Sequence, residues 1–181
     1  MRLPIVAVVA LPLDPIAEAQ HHWIERWGAG EHMAAATSLM RAQQLVLAAV
    51  EDELRPFGLT FASYEALMLL SFSRRGQLPL GKMSERLMVH PASITNTVDR
   101  LEERGLVERR RDAADGRRVL AAITEAGRAI AAEATEPLNK VQFGLGMLDE
   151  ESAVQINAVL RRVREGAGDF AKDVADPWTS K

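Results

Sequence analysis

Cysteine is absent from all 181 residues. Its absence removes disulfides, thiolate ligands and thiol oxidation as a switch, so anything this chain senses should act through a non-covalent ligand. Long hydrophobic runs are missing too. Nothing approaches the roughly 20 apolar residues that a spanning helix needs, which excludes an integral membrane protein. Catalytic signatures are equally scarce: there is no Gly-x-Ser-x-Gly, no His-Glu-x-x-His and no Ser/His/Asp set, so an enzyme is not expected. A glycine pattern does occur at Gly166-Ala167-Gly168-Asp169-Phe170-Ala171. It follows a helical segment and lacks the βαβ surroundings that would bring it to a pyrophosphate, so it reads as the end of a helix. Internal repeats and low-complexity segments are also lacking.

At 48% hydrophobic and 26% charged, the chain fits one globular domain with a real core. Its net charge is −3, but the charge is unevenly placed. Residues 74–118 carry 11 basic and 7 acidic side chains, against 11 and 18 in the remainder. A basic block set against an acidic remainder is the asymmetry of a polyanion-binding face, although charge alone fits a solvated arginine-rich hairpin equally well.

The order of elements around that block decides between the two. Leu80 to Val89 reads as a short helix with Leu80, Met83 and Leu87 on one face, and His90-Pro91 breaks it. Pro91 suits the first turn of a new helix, in which Ile94, Val98 and Leu101 recur as a buried stripe. The opposite face, with Ala92, Ser93, Thr95, Asn96 and Thr97, is small and polar enough to lie in a major groove. Gly105 can end this helix in the left-handed conformation. Leu106–Arg110 and Val119–Ile123 then pair as strands around an Asp115-Gly116 turn, and Thr124 caps the next helix. Two short helices, a tight turn and a β-hairpin make a winged helix-turn-helix. Its candidate DNA contacts are Pro91, Ala92, Ser93, Thr95 and Asn96 toward base edges, with Lys82, Arg86, Arg109, Arg110, Arg111 and Arg118 toward phosphates.

The run Asp99 to Arg109, then Asp115-Gly116-Arg117-Arg118 and Ile123-Thr124-Glu125-Ala126-Gly127, resembles the signature of the MarR family of bacterial transcriptional regulators. The resemblance covers roughly residues 31–165. It implies a homodimer whose recognition helices enter consecutive major grooves and whose wings reach the flanking minor grooves. It also implies a small, often aromatic or phenolic, ligand that commonly lowers DNA affinity. In the family an Arg enters the minor groove and an Asp orients it, roles that fall here on Arg117 and Asp115.

The remaining segments complete a mainly α fold with a small β-hairpin wing and long terminal dimerisation helices. Glu31–Leu54 has no Pro or Gly and carries Leu39, Gln43, Val46, Val50 and Leu54 at helical spacing. Phe61–Phe72 is a second helix, Thr124 to about Leu145 a third with Pro137 inside it, and Asp149 to about Ala167 a fourth. The expected organisation is an extension at 1–30, a helical dimerisation region at 31–57 and 124–172, the DNA-binding lobe at 58–123 and a tail at 173–181. Two such recognition helices about 34 Å apart would read a pseudo-palindromic site on double-stranded DNA. A winged helix that binds an acidic protein partner, without ligand response, is the alternative function.

The N-terminus leaves two readings open. Met1-Arg2, the apolar stretch Leu3–Leu13 and Ala17-Glu18-Ala19 outline a short signal peptide, but Pro4 and Pro12 interrupt it. The other reading is an arm leading into a helix from Pro15 to about Trp27, with Asp14 as N-cap, in a cytoplasmic protein. Trp23 and Trp27 could wall a pocket for a flat effector or cover the core edge of a dimer. The extension also resembles that of the urate-responsive MarR subgroup, which implies a ligand site at Trp23, Glu65 and Arg100, where Glu65 departs from the subgroup's Asp. Tyr64 and Met68 complete the candidate ligand residues. His21 and His22, with Glu18 and Glu25, have spacing that could hold a transition metal. With no cysteine and no fourth ligand nearby, the favoured reading is an exposed polar helix face, and neither metal nor cofactor is expected.

Overall fold

The computed structural model describes residues 10–112 and 118–171. The Asp14 side chain accepts a hydrogen bond from the Ile16 amide at 2.9 Å and Pro15 takes the first helical position, so α1 (Pro15–Trp27) begins where its cap dictates. Gly28, at φ 77°, ends it, and α2 (Glu31–Leu54) follows and packs along it. A 3-10 turn at Arg55–Phe57, closed by left-handed Gly58, leads into α3 (Phe61–Phe72), whose N-cap Thr60 accepts from the Ser63 amide.

The winged helix-turn-helix lobe follows as β1 (Gln77–Pro79), α4 (Leu80–Leu87), α5 (Pro91–Glu103), β2 (Val107–Arg111) and β3 (Val119–Ile123). The hairpin is the expected one, shifted by one residue in its first strand. β1 is an addition: three residues that pair antiparallel with β3 and make a sheet of order β1-β3-β2. The central strand is buried over Leu120–Ile123, and its alanines leave room for α3 and α4, which pack against it. Leu54, Leu67, Met83, Ile94, Val98, Leu101, Val107 and Leu138 are all under 2% exposed. They come from α2, α3, α4, α5, β2 and a later helix, so one core joins the lobe to the helices around it. Each such side chain contributes about 1.5–3 kcal/mol by leaving water.

Thr124 caps α6 (Glu125–Lys140), accepting from the Gly127 amide at 3.0 Å. The expected extension of this helix to Leu145 is corrected here. It passes through Pro137 but stops at Lys140, because Gln142, Phe143 and Gly144 are all left-handed, at φ 48°, 52° and 77°. Gly144 turns against α2, where a Cβ would stand 3.0 Å from that of Ala49.

The described residues up to Gly144 form one packed unit and those from Leu145 a second. In the second, Asp149 caps α7 (Glu150–Gly166). Hydrogen bonds from the Ser152 hydroxyl and amide hold the Asp149 carboxyl below its ordinary range. Among the described residues no helix is long and apolar enough to cross a membrane.

Candidate nucleic-acid interface

α4 ends because Met88 turns left-handed at φ 53°; His90 is extended, and helical geometry resumes at Pro91. His90 is the N-cap of α5: its Nδ1 accepts from the Ala92 amide at 3.2 Å, and Pro91 stands at the first position. The cap was not legible beforehand, since His is an unusual N-cap. Ile94, Val98 and Leu101 anchor the inner face, each at most 2% exposed.

The outer face presents Pro91, Ala92, Ser93, Thr95 and Asn96, all exposed. Their hydrogen-bonding capacities differ. Thr95 donates its hydroxyl proton to the Pro91 carbonyl at 2.9 Å, and Thr97 does the same to Ser93 at 3.0 Å. While that bond holds, Thr95 can offer DNA only an acceptor. Ser93 and Asn96 make no side-chain hydrogen bond to another described residue. Asn96 therefore keeps both the donor and the acceptor that a bidentate base contact requires.

Among the basic residues, Arg86 and Arg111 are exposed, Lys82 pairs with Glu85 at 2.9 Å and Arg110 with Glu108. These surface pairs are weak enough to exchange for phosphate. A shallow groove of ≈ 360 Å³ lies between the start of α4 and the start of β3, lined by Pro79, Leu80, Gly81, Lys82, Glu85, Arg118 and Val119. It brings Lys82 and Arg118 to one place, next to the positive end of a helix. Asp115 and Arg117 lie outside the described residues.

Arg109 is placed differently from a phosphate contact. Its side chain, 25% exposed, bridges Asp99 at 2.5 Å and Glu102, both on α5, while its amide donates to Glu102 Oε1 at 3.0 Å. Burial works against the Arg109 charge, but the bonds and charges of the two carboxylates outweigh it and lift the guanidinium above its ordinary value. Arg109 thus clamps the first wing strand to the recognition helix. Arg104, not singled out from sequence, has a similar part. It donates to the Gly58 carbonyl at 2.6 Å and the Phe57 carbonyl at 2.8 Å, tying the end of α5 to the α2–α3 turn.

The candidate ligand residues fall into separate groups. Trp23 and Trp27 pack on each other, centroids 4.8 Å apart, and are 38% and 66% exposed. Tyr64 is buried and its hydroxyl pairs with that of Thr135 at 2.9 Å, joining α3 to α6. Met68 packs against the core and Arg100 is exposed. No hydrogen bond, ion pair or ring contact links the tryptophans to Tyr64, Glu65 or Arg100 among the described residues.

Glu65 is half-buried, and burial raises its carboxyl pKa. Because the folded value lies above the unfolded one, the stabilising contribution is complete below the ordinary carboxylate range and is lost as pH rises through the raised value. Glu65→Gln should accordingly be more stable than the parent at neutral pH and lose that advantage in acid. Thermal unfolding at several pH values checks this, and a less stable variant at pH 7 would show that the carboxylate is compensated.

The MarR family model matches residues 59–119, which span the lobe from the start of α3 to the return strand of the wing. An uncharacterized HTH-type transcriptional regulator of Bacillus subtilis (strain 168), YhbI, is 31% identical over 106 residues, covering 59% of this chain and 68% of the relative. Sco5413, a MarR family transcriptional regulator from Streptomyces coelicolor, is 51% identical, with a TM-score of 0.74 over 80% of this chain and 100% of its own. CouR from Rhodococcus jostii RHA1, solved bound to p-coumaroyl-CoA, is 29% identical, with a TM-score of 0.65 over 78% and 95%. With its winged lobe and these relatives, the chain belongs to the MarR family of DNA-binding transcriptional regulators and is not an enzyme.

Proposed function

We propose that this regulator is a homodimeric repressor that binds a pseudo-palindromic operator and is released from it by a small organic ligand, aromatic or anionic. The observation that carries the DNA-binding part is the outer face of α5. Ser93 and Asn96 are exposed and uncommitted on a helix whose inner face is locked into the core. A rigid helix with free hydrogen-bonding groups is what base readout needs. Phosphate contacts fall to Lys82, Arg86, Arg110, Arg111 and Arg118, with Arg117 in the minor groove and Asp115 orienting it.

The dimer is supported by apolar side chains that the single chain leaves in water. Trp27, Leu39, Met40 and Leu45 are exposed on α1 and α2, and Val154, Ile156, Val159 and Val163 on α7. Burying these stripes against a second copy is the usual solution for terminal helices. The ligand-release part rests on CouR, which binds an aromatic acyl thioester, and on the half-buried Glu65 beside Tyr64 and Met68 in α3. Such a ligand acts only by binding the DNA-incompetent arrangement more tightly than the competent one.

The test is a mobility-shift assay on DNA flanking the protein's own gene. A specific, salt-sensitive shift is expected. Asn96→Ala should relax sequence preference, at about 1–3 kcal/mol for the base it reads, whereas Arg117→Ala should weaken binding to all sequences and lower the salt slope by about 1. A basic winged helix serving an acidic protein partner would give no sequence-specific shift at all.

A further inference from the structure

α1 carries a cluster that DNA binding does not use. His21 and His22 are adjacent, so their side chains diverge by about 100° around the helix. Glu25, four residues from one and three from the other, falls between them. The structure brings the three together: His21 Nε2 lies 3.3 Å from Glu25 Oε1, and His22 Nδ1 lies 3.3 Å from Glu25 Oε2. One donor atom from each residue lies within 4.8 Å of the others. Glu18, the fourth residue of the sequence pattern, is not part of the group.

We propose that His21, His22 and Glu25 form a binding site for a divalent transition metal of the zinc, cobalt, nickel or copper class. The His22 contact is a hydrogen bond, and both imidazole–carboxylate contacts stand at 3.3 Å. Ligand bonds of about 2.0–2.1 Å in tetrahedral array set neighbouring donors about 3.3 Å apart; each histidine stands 3.3 Å from a different oxygen of Glu25 and the three donor atoms lie within 4.8 Å of one another, so the exposed side chains would close up on an ion. Two imidazoles and one carboxylate suit borderline metals and disfavour magnesium and calcium, which take oxygen ligands. The side chains are 57–71% exposed, which leaves the remaining coordination positions to water. Bound metal would join residues 21, 22 and 25 across one turn and stiffen the stretch that holds Trp23 and Trp27.

The experiment uses the full chain without an affinity tag, freed of metal by a chelator. Zinc is titrated in competition with a chromophoric chelator. Copper is titrated with tryptophan fluorescence as readout, since two of the three tryptophans of the chain lie on α1. One equivalent of zinc per chain and quenching by copper are expected. His21→Ala/His22→Ala should weaken zinc by a hundredfold or more, on the order of two lost ligands, and Glu25→Gln by about tenfold. His32→Ala and His90→Ala, at the other two histidines, should leave it unchanged. The proposal is overturned if the parent takes up no stoichiometric zinc at micromolar concentration, or if the double variant binds as the parent does. It is equally overturned if His32→Ala or His90→Ala costs as much as the double variant. All substituted side chains at the site are exposed, and circular dichroism confirms that each variant is folded.

Discussion

Gly127→Ala should destabilise the protein by about 3 kcal/mol or more, although an alanine in place of a helical glycine ordinarily stabilises by up to about 1 kcal/mol. A Cβ at position 127 would stand 2.1 Å from the Leu106 carbonyl oxygen, 3.0 Å from its carbon and 2.9 Å from Ile123 Cγ1. Two of these three atoms are backbone and cannot rotate away. The Leu106 carbonyl is itself held by the Thr124 amide at 3.1 Å, and the Thr124 hydroxyl donates to the Gly105 carbonyl at 2.7 Å. The start of α6 is therefore pressed onto the exit from the recognition helix, and relief would require parting the two. In thermal unfolding the loss corresponds to about 6–12 °C for a chain of this size. Gly81→Ala is the control: this glycine also lies in a helix, with nothing within 4 Å of a Cβ, and the change should be neutral or slightly stabilising. If Gly127→Ala behaved like Gly81→Ala, the close approach of α6 to Leu106 would be wrong.

The same glycine illustrates what sequence could and could not convey. Thr124, Asp14 and Asp149 are N-caps recognisable from local residue types, because a cap is satisfied by atoms two or three residues away. The buried stripe Ile94, Val98, Leu101 is equally local, since its spacing alone puts it on one face. Gly127 reads from sequence only as part of a signature; its reason is a backbone 21 positions earlier. β1 was missed for the same cause. Three residues ending in a proline carry no period of their own, and only pairing with β3 makes them a strand. The end of α6 depends on the fit of Gly144 against Ala49, and Arg104 depends on carbonyls 46 and 47 positions away. At the DNA face, exposure and residue type on α5 were legible, but the partners of each arginine were not. An arginine in a basic hairpin looks the same whether it meets solvent, phosphate or a carboxylate of its own chain.

Arg109 is where that ambiguity has the largest functional consequence. As a free phosphate contact, Arg109 would have its worth in its charge, and the two carboxylates beside it would only weaken DNA binding. As a clamp, it fixes the angle between wing and recognition helix, and the carboxylates are half of the device. The two readings agree that Arg109→Ala lowers operator affinity, by about 10- to 100-fold or roughly 1.4–2.8 kcal/mol. They part over Asp99→Ala/Glu102→Ala. Removing two negative charges from a face that meets a polyanion strengthens binding if electrostatics alone governs it. If the clamp governs, the double variant frees Arg109 and the Arg109 amide from α5, lets the wing move against the recognition helix, and weakens binding despite the gain in positive charge. Preorganisation of two elements that must reach adjacent grooves together is worth more than one added phosphate attraction, which salt screens. We therefore expect weaker operator binding by Asp99→Ala/Glu102→Ala at moderate salt. Adding Arg109→Ala to it should then cost little more, because all three side chains act through one contact. Tighter binding by the double variant would return Arg109 to the phosphates.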